Sequence, residues 1–292
     1  MQPPRLLHET NLKRIPFVGR SFVKIIRQRV EEVADQSSPK DPDISVLIRS
    51  RNNREQLSAL IDDIEAQDYD GKIEVIVVDT ESTDGAAELA KSRGAKVINI
   101  SQDDFSYPKS LNIGFKSAKY EWVFSLVDHS ALMNDKTFKV AARWNNDKNV
   151  AGVYGVNLPN KNATLSERIT YGLGQLHKMR RKAYKTTKKD VRGGFMAANN
   201  SIIRRSAWSD MGGFDESYGA GGEDFAFGVS LRDAGYDIVF DPALSVYHTH
   251  GLNFVRQIQQ VFYWYSLSNP LSFDAKRLNR YRPDLRRHQT KD

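Results

Sequence analysis

The chain has 292 residues, with 43 Lys and Arg against 36 Asp and Glu, and no cysteine. Disulfides and thiolate chemistry are therefore excluded, and any metal must be held by oxygen or imidazole. No apolar run approaches the ~18 residues of a membrane span, and no apolar h-region follows the basic N-terminus, so the expectation is a cytoplasmic protein, at most peripheral on an inner membrane face.

In chain order, residues 1–40 read as a basic arm, with a partly apolar helical stripe at Phe22, Val23, Ile25, Ile26 and Val30 and the linker SSPKDPD behind it. ISVLIRS (44–50), IEVIVVD (73–79), KVINI (96–100) and EWVFSLVD (121–128) are short apolar runs with polar ends, the pattern of buried parallel strands. Between them, NREQLSALIDDIEAQ (53–67), TDGAAELAKSRG (83–94, capped by Thr83 or Asp84 and stopped at Gly94) and SLNIGFKSA (110–118) have helical spacing. This alternation predicts an α/β fold, a mostly parallel central sheet with helices on both faces and helical appendages at the ends. The division expected is a first half (41–150) and a second half (151–255), followed by a basic helical tail (256–292). The second half holds strand-like GVYGV (152–156), GFMAANNSIIRR (194–205) and YDIVFDP (236–242). It also holds a basic insertion (176–192), read as a mobile loop or surface helix.

The charge is unevenly placed. Residues 1–40, 176–192 and 256–292 each hold eight Lys and Arg, against four, one and three acidic residues, around an acidic body. Such segments suit an anionic lipid or an anionic acceptor as well as nucleic acid. No base-reading motif accompanies them, so nucleic acid is not an expected partner. The aromatic-rich 252–269 serves as a packing helix, a dimer interface or a membrane seat, and the packing roles are favoured.

Three constellations carry chemistry. In VIVVDTESTDG (75–85), Asp79 at a strand end hydrogen-bonds a ribose or base, or the segment is only a helix-capping turn. There is no GxGxxG and no GxxxxGK[ST], so dinucleotide and P-loop readings lack support. In SLVDHSAL (125–132), Asp128 and His129 at the end of a buried strand suit Mn²⁺ or Mg²⁺ on a diphosphate, or form a polar strand terminus. VYHTHG (246–251) offers a second set, since on an extended chain His248 and His250 share one face. In GAGGEDFAFG (219–228), glycines permit close approach, and Glu223 and Asp224 either favour the helix dipole or supply a general base.

Together these segments, over about residues 43–255, resemble glycosyltransferase family 2. VVDTESTDG is similar to that family's VVD-x-x-S-x-D-G element, FSYPKSLNIGFKSAKYEWVFSL (105–126) to its N-x-G-x-x-x-A element, and GGEDFAFG to its ED motif. VDH (127–129) takes the place of the family's D-x-D, with Val127 for the first Asp and His129 for the second. NNSIIRR…GGFDESYGAGGED resembles galactosyltransferase-like members, which brings Trp208 near the sugar or leaves it as a core residue. The resemblance implies a GT-A fold and an inverting transfer from a nucleotide diphosphate sugar, UDP-linked in the first instance, to a glycan or glycoconjugate hydroxyl. It implies donor contacts at Arg49, Ser50, Asp79, Glu81, Lys109, Asn112, Asp128 and Gly222. A Mn²⁺ or Mg²⁺ cofactor would sit on Asp128, His129 and His248, with His250 a weaker candidate. Asp224, beside Glu223, would be the base. The alternative it leaves open is a catalytically silent relative that binds glycan or an anionic surface.

Overall fold

The apolar runs become strands because β-branched and aromatic side chains pack well on a pleated surface buried on both faces. The structure, a computed structural model, describes residues 7, 28–30, 32, 41–160, 162–179, 181–186, 196–218 and 221–268, with the backbone alone at 170–174, 176, 177, 261 and 264–268. Most of the N-terminal arm, residues 187–192 of the basic insertion, Gly219 and the tail beyond 268 lie outside the described residues. Four parallel-sheet strands come first: β1 (Ile44–Ser50), β2 (Ile73–Thr80), β3 (Lys96–Ile100) and β4 (Trp122–Val127). Helices α1 (Arg54–Glu65), α2 (Ala86–Ser92) and α3 (Tyr107–Ser117) connect them. A two-residue strand β5 (Ala131–Leu132), helix α4 (Thr137–Ala142), β6 (Val150–Leu158) and α5 (Leu165–Met179) follow. The chain continues through β7 (Tyr184–Thr186), β8 (Ser201–Arg204), α6 (Arg205–Asp210), a 3₁₀ turn at Glu216–Tyr218, α7 (Glu223–Asp233), β9 (Asp237–Tyr247) and α8 (Phe254–Ser268).

The strands form one sheet in the order β3-β2-β1-β4-β8-β6-β9-β5, with β7 added on β9. The long ladders are parallel: seven registered pairs in β1/β2, six in β1/β4, five in β2/β3 and seven in β6/β9. The antiparallel ladders of β4/β8, β8/β6, β9/β5 and β9/β7 have two to four pairs each. The expected mostly parallel α/β sheet is thus present, with short antiparallel insertions in its second half.

Local chemistry fixes the helices. Leu57, Leu60, Ile61 and Ile64 of α1 are buried on the sheet, as their spacing predicts. Helix α3 begins three residues earlier than its apolar spacing suggested, because Ser106 caps it by accepting the Lys109 N–H at 3.2 Å and Pro108 stands in its first turn. It also lies unusually close to the sheet. A Cβ on Gly114 would come within 2.2 Å of the Leu47 side chain, so the N-x-G glycine is a packing requirement. Asp84 serves two helix starts, with Oδ2 accepting the Arg54 N–H of α1 at 2.8 Å and Oδ1 the Ala86 N–H of α2 at 3.1 Å. Thr83 is not the cap of α2; Gly85 is, with φ of 81°.

The insertion departs most from expectation. Helix α5 runs into it as far as Met179, and Tyr184–Thr186 form an edge strand rather than a loop or helix. Tyr184 packs on Phe240 with ring centroids 5.3 Å apart, and Lys185 bridges Asp147 and Asp237. Those contacts hold a basic segment on the sheet.

Parallel register brings the carboxyl ends of β1, β2 and β4 to one rim, with Ser50 opposite Asp79 and Arg49 opposite Val127. After β4 the chain crosses to the end of β9, where antiparallel β5 pairs Ala131 with Tyr247. That small pairing carries Asp128 and His129 to the residues that follow β9.

Candidate active site

On the β1–β2 side of the rim, two non-glycine residues take positive φ, Asn52 at 50° and Glu81 at 48°. Such backbone persists only where its surroundings hold it. Here the Asn52 N–H donates to Ser82 Oγ at 2.9 Å, and Asn52 Oδ1 accepts the Thr83 N–H at 2.8 Å. Glu81 Oε2 accepts the Gln102 N–H at 3.0 Å. Asp79 is buried beneath this lattice. Its Oδ2 accepts the Ser82 N–H at 3.0 Å, whereas its buried Oδ1 has no hydrogen-bond partner. The neighbouring buried Ser50 Oγ likewise lacks one, as do Nε and Nη1 of Arg49, whose guanidinium stands 5.3 Å from the Tyr107 ring centroid. Buried polar atoms seldom remain unsatisfied unless something binds them. Ser50 and Asp79, opposite each other in the β1/β2 register, and Arg49 thus offer unpartnered polar atoms at the sheet rim.

On the β4–β9 side, Asp128 is buried and its carboxylate is taken up by protein donors. Oδ2 accepts the Arg51 N–H at 2.9 Å, and Oδ1 accepts Asn53 Nδ2 at 3.1 Å and lies 2.8 Å from His129 Nδ1. That bond fixes the His129 ring and directs Nε2 away; this atom is buried and has no partner. His129, His248 and His250 converge, and one ring nitrogen from each lies within 4.8 Å of the others. Their ring centroids are 4.7 to 5.2 Å apart. Asp128 stands behind this cluster as a partner of His129. Burial first, then the neighbouring imidazoles, pushes the His248 pKa well below the usual histidine range. Desolvation of its ring within the cluster and the neighbouring His129 pull His250 down to about 4, although the residue keeps an exposed face. Neutral imidazole is the form that binds metal.

The segment before β8 joins this cluster to the base candidate. The Ala198 N–H donates to Asp224 Oδ2 at 3.1 Å, and the next residue, Asn199, sets its Nδ2 3.4 Å from His248 Nε2. Asn157 Nδ2 in turn holds Asn199 Oδ1 at 3.1 Å. Asp224 lies in the first turn of α7 behind Gly222, whose φ of 92° suits glycine. Burial raises the Asp224 pKa, opposed by the N–H groups of Ala198 and Phe225 and by the Arg49 charge. Glu223, beside it, is buried.

Two donor candidates are turned elsewhere. Lys109 pairs with Asp104 at 2.7 Å on the surface. Asn112 is consumed inside the protein: Nδ2 donates to Phe214 O and Glu216 Oε1, and Oδ1 accepts from Phe214 N and Trp208 Nε1. Trp208 is a core residue stacked on Phe115 at 5.3 Å, the second of its two sequence readings. Sequence reasoning missed Asn157, Asn199 and the pair Thr164 and Glu167. Glu167 is fully buried, with Oε2 accepting the Thr164 N–H at 2.9 Å and Oε1 the His250 N–H at 3.2 Å. The spacing T-x-x-E is the capping-box signature and was there to be read.

The arrangement combines an imidazole cluster, a raised carboxylate and unpartnered polar atoms on one sheet rim, where open α/β sheets bind ligands. Over 194 residues the chain is 28% identical to the O-antigen chain rhamnosyltransferase WbaN of Salmonella anatum, a match covering 65% of this chain and 60% of that protein. Its fold is that of solved glycosyltransferases. The mannosyltransferase PcManGT of Pyrobaculum calidifontis, in complex with GDP-Man and Mn²⁺, matches with a TM-score of 0.54 at 19% identity, over 83% of this chain and 68% of that one. S. aureus TarS 1–349, in complex with UDP-GlcNAc, matches with a TM-score of 0.55 at 17% identity, over 77% and 66%. The family model described as glycosyltransferase like family 2 matches residues 42–266, and the chain belongs to that family.

Proposed function

We propose that this protein is an inverting glycosyltransferase that moves a sugar from a nucleotide diphosphate donor, UDP-linked in the first instance, to a hydroxyl of a glycan or glycoconjugate. The observation that carries this reading is the junction at Ala198–Asn199, where consecutive residues hold Asp224 and touch His248. It unites a carboxylate of raised pKa with an imidazole cluster in which the His248 and His250 pKa values are lowered. The rhamnosyltransferase relative and the neighbours bound to GDP-Man with Mn²⁺ and to UDP-GlcNAc support the donor class and the cation.

The partnerless Oδ1 of Asp79 would accept from the nucleoside, with Ser50 and Arg49 beside it. A divalent cation such as Mn²⁺ fits His129, His248 and His250 better than Mg²⁺, which prefers oxygen ligands, since His129 Nε2 is a buried ligand atom without a partner. Bound there, it would offset charge growing on the leaving diphosphate. Arg49, whose charge reaches both Asp224 and His248, would add to that stabilisation. Asp224 would take the acceptor hydroxyl proton as the oxygen attacks the anomeric carbon. A nucleotide diphosphate leaves without protonation, so one carboxylate suffices where a glycosidase needs two.

The test is nucleotide diphosphate release from a panel of sugar nucleotides by wild type and Asp224→Asn. One donor should be turned over, and the variant should be about 10²–10⁴-fold slower. No turnover of any donor and no donor-induced thermal shift would replace this reading with that of a silent binding protein.

A further inference from the structure

Among their described side chains, helices α5 and α8 expose large apolar residues. Leu165 and Ile169 of α5 and Phe254, Val255, Ile258 and Phe262 of α8 are 39% to 69% exposed. The side chains these helices turn inward include Glu167 and Gln257, at 0% and 1%. A surface helix normally buries its apolar stripe and leaves charge outside. The two helices pack on each other, and Thr164 Oγ1 donates to Leu252 O at 2.7 Å, so their starts lie side by side and set an apolar ridge there.

We propose that this ridge seats the protein on an anionic lipid surface. Charge selects the occupant. The chain running on from α5, residues 180–192, has seven Lys and Arg against one Asp, and the chain beyond α8, residues 269–292, has seven against three. Arg181, Lys182 and Arg256 are exposed. An apolar ridge flanked by basic chain complements apolar acyl chains beneath anionic headgroups. A symmetric dimer through the same ridge would set each basic flank against its own copy, which like charge opposes.

The seat adjoins the histidine cluster. Glu167, two residues from Leu165 and Ile169, holds the His250 N–H, and α8 starts four residues after His250. Seating the ridge therefore brings the cluster to the bilayer interface. Given the transferase reading, an acceptor whose sugar or hydroxyl sits on a lipid would meet Asp224 there; the seat itself does not depend on that reading.

The experiment is co-sedimentation of the full chain with phosphatidylcholine vesicles, with and without phosphatidylglycerol, for wild type and the double variant Phe254→Gln/Phe262→Gln. Wild type should partition onto the phosphatidylglycerol vesicles and be released by added salt. The double variant should bind on the order of a hundredfold more weakly, from two large side chains withheld from the acyl region. Leu165→Gln/Ile169→Gln, on the other helix, should weaken binding in the same direction. Nucleotide diphosphate release from a soluble donor should be unchanged in both, which separates this inference from the catalytic one. Wild-type binding indifferent to phosphatidylglycerol, or equal binding by wild type and both variants, would overturn the seat. So would a concentration-dependent dimer that the same substitutions dissolve.

Discussion

Placing the cation on three imidazoles, with Asp128 behind them, predicts graded losses that differ from those of a carboxylate ligand. Asp128 accepts three bonds, two at Oδ1 and one at Oδ2. In Asp128→Asn the amide oxygen can replace Oδ1 and keep Asn53 and His129. Its NH₂ then faces the Arg51 N–H, and one charge-assisted bond becomes a donor–donor contact. That costs about 1.5–3 kcal/mol of stability. His129 stays oriented, by a neutral amide that makes it a poorer ligand, and cation affinity should fall about tenfold. Asp128→Ala leaves Nδ1 without its acceptor and the ring unfixed, and the fall should approach about a hundredfold, the upper range for outer partners of a ligating histidine. His250→Ala removes a ligand atom and should lose more affinity than Asp128→Asn. Calorimetric titration of Mn²⁺ into each protein, without donor, reads these values directly. If His250→Ala bound Mn²⁺ like wild type while Asp128→Asn abolished binding, the cation would sit on the carboxylate, and the geometry argued from Nε2 would be wrong.

Two further substitutions separate support from chemistry. Asn112→Ala leaves the buried groups of Phe214 and Trp208 without partners and should cost about 3–5 kcal/mol, read as a Tm lowered by ~10 °C, with donor KM unchanged in the folded fraction; a raised KM at an unchanged Tm would return Asn112 to the donor site. Glu167→Ala breaks the capping box and frees the His250 backbone, so thermal unfolding should show a loss of about 1–3 kcal/mol and Mn²⁺ titration a weaker cation, whereas Glu167→Gln, which keeps one acceptor oxygen but sets its NH₂ against the other N–H, should recover only part of each.

The first half of the fold was legible because its strands are buried on both faces and so read as unbroken apolar runs, with helices of clear period between them. The second half was less so. Strand β8 is only Ser201–Arg204 within a longer apolar stretch, and β7 lies in a segment whose charge suggests solvent. Neither has a periodic signal of its own; each is a strand because β4, β6 or β9 offers it a ladder. Helix α5 announced itself only through the capping box Thr164–Glu167.

The site divides along the same line. Asp79, Asp128 and Asp224 stand at strand or helix ends, where local pattern locates them, and their burial follows from that position. The role of His250 depended on a pairing of two residues: β5 is so short that only its register against Tyr247 brings His129 beside the end of β9. On an isolated strand, His248 and His250 are two side chains on one face. Across that register they meet a third imidazole already turned by Asp128. The same long-range contact explains why Asn112, placed by its motif among the donor contacts, is spent elsewhere. Its partners at 208–216 lie about a hundred residues away, and nothing near Asn112 in the sequence shows that the segment there takes up all four of its hydrogen bonds.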